Sequence, residues 1–520
     1  MNSILPEKYH RSIYIFALIV MVIGLSTSKF LMSVSQLLLA ANWLIEGNVK
    51  NKFIAFWKNK PALIISSLLL LHFVGLLYTT DFNYAFKDIR IKSPLFILPV
   101  ITSTSQPLSR KVFHIVLQFF VAAAVFASFV STLLFFDIIY LAVKQTKGIS
   151  IFISHINFSV LISVTVFIAA YFMYYSKKVL SKIIWAIIIV WMVYFLTLLG
   201  ALTGVAVLAL TSFLLIIYFF VNSASNFVKY AGWVIVIGIT VTSVYYVNWV
   251  YTDISKKEIV DFKKLEKHTA HGNVYEHDSI TKAYENGHLI WIYYSTYELE
   301  ESWNKRSSIK IDSKKLMSNP IYNTLVRFLS SQGKRKDADA VNGLTNNEIK
   351  AIERGVVNVD YQNIGGLKTR IYETFWEIEV YKNMDDANGH SFTQRLEYWK
   401  TAIDIIKKYP IFGVGTGDVP KAFEQQYIKS NSSLAQEWRL RSHNQYLSFA
   451  VAFGLFGLLW FLITLIYPFL KLNSSFNYLY IAFFIISIIS FFTDDMLETQ
   501  AGVTFFAFIN CFLLFGDAES

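Results

Sequence analysis

The sequence predicts an all-α polytopic membrane protein with about twelve transmembrane helices and one large, mainly helical extracytoplasmic loop domain between spans nine and ten. Three observations support this fold class. Hydrophobic residues make up 54% of the 520 residues, whereas charged residues make up only 16%. Apolar runs of about 18 residues or more recur, and each can cross a hydrocarbon core about 30 Å thick. Residues 251–443 break this pattern with a charged, polar composition.

The apolar runs place the expected spans, with a few residues of error at each end. The spans are expected at 12–28, 30–46, 61–79, 91–104, 112–136, 154–175, 180–200, 203–222, 229–250, 444–470, 476–493 and 498–516. The fourth run is short enough to be a re-entrant segment. The chain therefore divides into spans one to nine in 1–250, the loop domain in 251–443 and spans ten to twelve in 444–520.

Lysine and arginine counts in the short loops orient these spans, because cytoplasmic loops carry an excess of basic residues. One side carries thirteen: Lys8, Arg11, Lys50, Lys52, Lys58, Lys60, Arg110, Lys111, Lys177, Lys178, Lys182, Lys229 and Lys471. The other side carries six: Lys29, Lys87, Arg90, Lys92, Lys144 and Lys147. This asymmetry predicts that both termini are cytoplasmic and that the loop domain lies outside.

Composition disfavours several other classes of protein. The formal charge of +11 comes from basic residues in short loops rather than from a basic stripe on a soluble fold, so nucleic-acid binding is not expected. The single cysteine, Cys511, lies in the last apolar run and excludes an intramolecular disulfide. Asp337 and Asp339 form only a short acidic motif in a charged loop. The histidines of the loop domain lack matching cysteines or carboxylates, so no metal site is expected.

The segment GVGTGD, at 413–418, has the glycine spacing of a dinucleotide-binding loop. That fingerprint needs a preceding strand and a βαβ unit, whereas here a helix and a proline come first. The segment instead predicts a tight turn. Gly413 and Gly415 would let the backbone approach closely to a neighbouring helix or a ligand.

Several arginines gather on the outer face, where the positive-inside rule disfavours them. Arg395 begins an amphipathic helix at 393–408, four residues before Trp399, while Arg439 and Arg441 directly precede the tenth span. Arg90 lies in a short segment on the same side. Basic residues on this face indicate a bound anion, and guanidinium suits phosphate because it can donate two hydrogen bonds at once.

His443 lies between these arginines and the tenth span, in the motif Ser-His-Asn-Gln-Tyr. Nearby arginines would lower its pKa below the reference of about 6.5, leaving a neutral imidazole that accepts a proton. Such a base would activate a sugar hydroxyl as a nucleophile. Asn444 follows in the motif. Asp494, at the outer end of the eleventh span, would orient the histidine, balance the arginines or simply form a polar turn.

These features together resemble the O-antigen ligase and O-antigen polymerase superfamily. The resemblance rests on the span layout, the large loop, RLEYW, YPIFGVGTGD, and SHNQY followed by Gly454 and Gly457. It implies a metal-independent, inverting glycosyltransferase of the bacterial inner membrane that needs no cofactor and uses an undecaprenyl-diphosphate-linked glycan. It also implies that His443 is the base and that Arg395 binds the diphosphate.

One departure from the family concerns a Ser-Arg pair near the outer end of the seventh span. Here the stretch reads TLLGALTG, without an arginine, so Arg90 or Arg441 would supply that phosphate contact. Arg395 and Arg441 are the expected diphosphate ligands, and Arg439 and Arg90 are weaker candidates. Trp399, Gly413, Gly415, Asn444 and Asp494 are expected to support the site.

Three acceptors remain open: lipid A-core in lipopolysaccharide biosynthesis, a growing polysaccharide, or a serine or threonine of a protein. Ligation to lipid A-core is favoured, because one donor site and a large loop suffice for it. A transporter of lipid-linked sugars is the alternative outside the enzymes. Transporters tend to show two related halves and charged residues within spans, whereas here the charges gather at one face and no repeat is visible.

Overall fold

The structure is a computed structural model, and it describes residues 6–136, 138–139, 150–312, 319–361, 367–471 and 478–517. Lys144 and Lys147, used above for orientation, lie outside the described residues. The chain folds as two compact units. The first unit comprises Met1–Ala224 and Arg395–Ser520, and the second comprises Ser225–Gln394.

Helices make up most of the described chain, which confirms the all-α fold class. In chain order they are α1 Glu7–Thr27, α2 Lys29–Ile45, α3 Val49–Lys58, α4 Lys60–Val74, α5 Phe82–Lys92, α6 Pro94–Thr104, α7 Arg110–Phe135, α8 His155–Tyr175, α9 Val179–Leu199, α10 Leu202–Val221, α11 Asn226–Ile254, α12 Thr296–Arg306, α13 Pro320–Ser331, α14 Ala338–Asn342, α15 Asn346–Glu353, α16 Leu367–Met384, α17 Ser391–Lys408, α18 Val419–Lys429, α19 Gln445–Leu470, α20 Tyr478–Thr493 and α21 Gln500–Phe515. A two-stranded antiparallel pair joins β1 Tyr284–Glu285 to β2 His288–Leu289.

Within the described residues, 8 helices are long and apolar enough to cross a membrane: α1, α4 with the turn that follows it, α7, α8, α9, α10, α11 and α19. Helices α2 and α3 meet at a bend of 113°, as in a broken span or a re-entrant loop. Helices α20 and α21 are apolar but have only 16 residues each. At 1.5 Å per residue each is about 24 Å long, less than the hydrocarbon core. The protein is therefore a multi-pass membrane protein, and the count of twelve spans stays a prediction.

Helix α6 has only 11 residues, so it is too short to span the hydrocarbon core upright. The expected fourth span begins at residue 91, but Lys92 closes the preceding helix α5 and Pro94 opens α6. Proline is favoured in the first turn of a helix, where its missing N–H has no partner to lose. The fourth apolar run thus comprises the end of α5 and the short helix α6, and the end of α5 brings Lys92 into contact with Glu498.

A backbone junction between the glycine turn and α19 positions the site in the first unit. Helix α19 is broken at Gly454, where φ is 65°. The Val414 and Gly415 N–H groups donate to carbonyls of α19 at 2.9 Å each, and Leu455 N–H donates back to the Pro410 carbonyl at 2.8 Å. A Cβ added at Gly413 would lie 2.4 Å from the backbone of Ala452. The expectation of a tight turn in close backbone contact with a neighbouring helix is confirmed.

The second unit has its own core, in which α12, α13, α15 and α16 bury large side chains such as Trp303 and Phe328. Glu285 is fully buried and forms an ion pair with Arg327 at 2.9 Å, and that guanidinium lies 3.8 Å from the centre of the Trp376 ring. This unit ends at Gln394, so Arg395 and the rest of α17 pack with the first unit. The expected helix at 393–408 is confirmed by α17, whereas the expected loop limits of 251 and 443 stay a prediction.

Candidate functional site

The N-terminus of α19 holds His443 in an unusual backbone conformation. Its φ is 44°, in the left-handed region that residues other than glycine rarely adopt. Asn444 caps the helix, because its side-chain oxygen accepts from Leu447 N–H at 3.1 Å, and its amide donates to the Phe492 carbonyl at 3.0 Å. The Ser442 hydroxyl donates to the Asn444 carbonyl at 2.9 Å. Strained residues held by their surroundings in this way concentrate at functional sites.

Two aspartates at the end of α20 face the imidazole of His443. Its Nδ1 lies 3.2 Å from an oxygen of Asp494 and 3.4 Å from an oxygen of Asp495. Burial by itself would lower the pKa of His443, but the hydrogen bonds and charges of Asp494 and Asp495 outweigh it and raise the pKa to about 9. The expectation that nearby arginines lower this pKa is therefore wrong, because the carboxylates lie closer to the imidazole.

A buried charge network, formed by Asp88, Lys92, Arg441, Asp495 and Glu498, lies beside the histidine. Glu498 accepts from Arg441 Nη1 at 3.1 Å and from Lys92 Nζ at 2.8 Å. Lys92 also contacts Asp88 at 2.6 Å and is only 1% exposed. Arg441 Nε lies 3.6 Å from Asp495, the aspartate that also faces the imidazole. Ion pairs therefore run without interruption from α5 to His443.

Gln445, the fourth residue of the Ser-His-Asn-Gln-Tyr motif, fixes one carboxylate of this network. Its amide donates to Glu498 at 3.1 Å, and its oxygen accepts from Leu497 N–H at 2.8 Å. A cavity of about 20 Å³ next to the network is lined by side chains including His72, Lys92 and Glu498. A volume of that size holds about one water molecule. The motif thus positions both the histidine and the carboxylate that holds Arg441.

Helix α17 contributes the RLEYW face of the site. The ring of Tyr398 lies 5.6 Å from the His443 ring, and the ring of Trp399 lies 5.3 Å from that of Phe492. Among the described residues, the Tyr398 hydroxyl and the Trp399 N–H have no hydrogen-bond partner, although both atoms are buried. Burial raises the pKa of Tyr398 to about 12, although the charge of Arg395 acts in the opposite direction. Arg395 is thus near Tyr398, which contacts His443.

The structure does not bring the other two arginines predicted to bind diphosphate, Arg439 and Arg90, to the histidine. Arg439 donates from Nε to the Leu434 carbonyl at 2.9 Å, a contact that closes its own loop. Arg90 is exposed in the last turn of α5, and no contact with His443 or the buried charge network is found for it in the described part of the chain. The cation that α5 supplies is Lys92, because residues 88 and 92 lie four apart and share one helix face. The four-residue spacing of Asp88 and Lys92 is the feature of the sequence that could have identified Lys92 as a residue of the site.

His443 and its two aspartates together also have the geometry of a possible metal site. One nitrogen of His443 and one oxygen each from Asp494 and Asp495 lie within 4.8 Å of one another. A guanidinium already lies 3.6 Å from Asp495 and offers positive charge to that carboxylate. A metal ion would therefore compete with Arg441, and the expectation that no metal is needed stays a prediction.

The fold and the site define a helical multi-pass membrane protein with a histidine, carboxylates and cations gathered at one end of its helices. Residues 342–462 match the family model described as O-antigen ligase. This match confirms the predicted resemblance to the O-antigen ligase superfamily, a family of glycan-transfer proteins. The matched stretch includes Arg395, the glycine turn, Arg441 and His443, whereas Lys92 and the carboxylates of Asp494, Asp495 and Glu498 lie outside it. No curated protein matches the chain.

Proposed function

We propose that the protein transfers a glycan from an undecaprenyl-diphosphate carrier to an acceptor hydroxyl at the periplasmic face of the bacterial inner membrane. The favoured acceptor is lipid A-core, which makes the protein an O-antigen ligase of lipopolysaccharide biosynthesis. The observation that carries this proposal is the placement of His443, a residue of the matched stretch, with its Nδ1 at 3.2 Å from an oxygen of Asp494 and 3.4 Å from an oxygen of Asp495. An imidazole oriented by carboxylates is the arrangement that general-base catalysis uses.

In the proposed reaction the acceptor hydroxyl oxygen attacks the anomeric carbon of the donor sugar. The bond from that carbon to the diphosphate oxygen breaks, and the hydroxyl proton passes to His443. Because Nδ1 faces the aspartates, Nε2 is the nitrogen that takes the proton. Asp494 and Asp495 then stabilise the imidazolium, as the aspartate does in a catalytic triad. Attack from the side opposite the leaving diphosphate inverts the anomeric centre.

The diphosphate is a good leaving group, so the site needs positive charge near it rather than a general acid. Arg441 and Arg395 are the proposed diphosphate ligands, and Arg439 and Arg90 are weaker candidates. A guanidinium has five N–H donors, so an arginine that contacts two carboxylates still has donors to offer a phosphate. The fixed position of Arg441, between Glu498 and Asp495, supports this role. A side chain that is already held in place loses little conformational entropy when it binds a phosphate.

The raised pKa of His443 predicts a rate that increases with pH. If the pKa is about 9, only about 1% of the imidazole is neutral at pH 7, so transfer should rise nearly tenfold per pH unit up to about pH 9. In Asp494→Asn one of the groups that raise this pKa is lost, so the midpoint of the profile should move to lower pH. Transfer by the purified protein, measured from pH 6 to pH 10, tests this.

The matched control for that profile is Asp404→Asn, which removes a carboxylate that contacts Lys407 on α17. This variant should keep the midpoint of the wild-type protein. A rate that falls as the pH rises through 9 would contradict the role of base, because the protonated imidazole would then be the active form.

A reconstituted reaction tests the proposed function itself. The purified protein in lipid vesicles is supplied with an undecaprenyl-diphosphate-linked glycan, a metal chelator and one of three acceptors. We expect product with lipid A-core and no loss of rate in the chelator. Product formed only with a second lipid-linked glycan would indicate a polymerase, and product formed only with a protein would indicate a protein O-oligosaccharyltransferase. Movement of the donor across the bilayer without any new glycosidic bond would contradict enzymatic transfer and favour a transporter.

A further inference from the structure

A second cationic site lies on the other side of the glycine turn. The lysine groove, as we call it, is a cavity of about 440 Å³ between the C-terminal end of α17, the glycine turn, α18 and the segment after α4. That volume lies within the range of about 300–1,000 Å³ typical of small-molecule sites. Its walls combine tyrosine and glutamine side chains with three lysines, Lys408, Lys421 and Lys429.

Positive charge dominates this groove. All three lysines are exposed, and in the described parts of the chain none of them forms an ion pair. The one acidic residue in the walls is Asp418. Its carboxylate accepts from Thr80 N–H and the Thr80 hydroxyl at 2.6 Å each, and from Asp81 N–H at 3.2 Å. Asp418 thus fastens the turn to the segment after α4, and the lysines remain to bind an anion.

The turn that forms the floor of the groove packs against α19, a helix long and apolar enough to cross a membrane. Val414 lines the groove and bonds to Val451, which lies six residues into α19 and therefore about 9 Å from the start of that helix. Ile411 and Phe412, at the tip of the same turn, are each 63% exposed. Exposed apolar side chains next to basic ones are typical of surfaces that lie in the membrane interface. A ligand of the groove would therefore meet it at the level of lipid headgroups.

We propose that the lysine groove binds the phosphate of a membrane lipid. Lysine binds phosphate as a compact point charge. Three lysines around one concave surface therefore attract an anion without the fixed, planar hydrogen-bonding geometry that arginine imposes. The lipid phosphate can come from an anionic phospholipid of the bilayer or from a phosphorylated glycolipid. This inference goes beyond the proposed transfer reaction, because it needs neither His443 nor the diphosphate donor.

The groove and the buried charge network share one wall. Thr416 and Val419 line the small cavity beside Arg441, whereas Gly413, Val414 and Asp418 line the groove. A bound lipid phosphate would therefore contact the turn that backs the proposed catalytic site. Because the two cavities have different lysines and arginines, binding to each can be removed separately.

Native mass spectrometry of the full-length protein in detergent tests the proposal. Three lipids are added in turn: phosphatidylglycerol, diphosphorylated lipid A, and phosphatidylcholine as a lipid without net charge. In the triple variant K408Q/K421Q/K429Q we expect binding of an anionic lipid to weaken by about 100-fold, because each lysine near an anionic surface accounts for roughly a fivefold factor. The triple variant K408R/K421R/K429R should bind like the wild-type protein.

The control removes the same charge elsewhere in the first unit. The replaced lysines in that control are Lys177, Lys400 and Lys407, all exposed and changed to glutamine. Loss of binding in the groove variant alone supports the proposal, and the lipid that loses affinity identifies the source of the phosphate. Equal loss in both variants, or no loss in either, overturns it. His443→Ala should bind these lipids normally, so a failure of the proposed catalytic function would leave this result unchanged.

Discussion

Replacing His443 by alanine is expected to lower glycan transfer by about 10²–10⁴-fold, the range that a positioned general base supplies. The physical reason is that a sugar hydroxyl keeps its proton at neutral pH and is then a weak nucleophile. In the variant, Asp494 and Asp495 have no imidazole to orient, so the proposed acceptor of the hydroxyl proton is lost. The rate of product formation in the reconstituted reaction measures the loss.

The matched control is His268→Ala, which removes an exposed histidine of the second unit and should leave transfer unchanged. A cellular test complements the rate. A deletion host that expresses His443→Ala should lose long-chain lipopolysaccharide while undecaprenyl-linked polymer accumulates. Full transfer activity in a folded His443→Ala protein would show that the mechanism is wrong. Loss of the polymer itself would favour the polymerase, and loss of glycoprotein alone would favour the protein glycosyltransferase.

Local patterns in the sequence predicted the parts of the site that depend on local structure. The helix at 393–408, the glycine turn and the start of α19 follow from periodicity, from Pro410 and from the apolar run that begins at residue 444. The need for glycine at Gly413 also followed from the residue type, since only backbone without a Cβ can approach α19 so closely. Element positions were therefore predictable within a few residues.

The electrostatics of the site were not predictable in this way, because they depend on contacts between residues far apart in the chain, 51 residues for His443 and Asp494. The sequence places Arg439 and Arg441 next to His443 and so suggested a lowered pKa. In the fold, Arg439 turns to its own loop, and Arg441 is balanced by Glu498 and Asp495. The groups nearest the imidazole are consequently carboxylates, and the pKa shift has the opposite sign.

The burial of Lys92 at the end of the short helix α5 was equally hard to predict from the sequence. The apolar run at 91–104 was expected to form a span beginning at residue 91, and Lys92, at its edge, was counted among the basic residues of an external loop. The structure instead ends α5 at Lys92 and buries its side chain against Glu498, 406 residues away along the chain. A charge in such a position is recognised only when its partner is known, because an unpaired lysine would be too costly to bury.

Replacing Lys92 by methionine is therefore expected to destabilise the protein by about 3–5 kcal/mol, the usual cost of removing one partner from a buried ion pair. Methionine has a similar length, so the change removes the charge and leaves the volume nearly filled. Asp88 then loses its contact at 2.6 Å, and Glu498 keeps its contacts with Arg441 and the Gln445 amide. The free energy of unfolding in detergent, compared with that of the wild-type protein, measures the effect.

Lys87→Met is the matched control, because Lys87 lies on the same helix but is exposed, and its stability should change by less than about 0.5 kcal/mol. The double variant K92M/D88N gives a sharper test. Asparagine carries no charge, so the carboxylate left uncompensated at position 88 disappears and much of the lost stability should return. If the double variant is no more stable than K92M, then lost packing around the lysine, rather than an unpaired charge, explains the destabilisation, and the network does not act as an electrostatic unit.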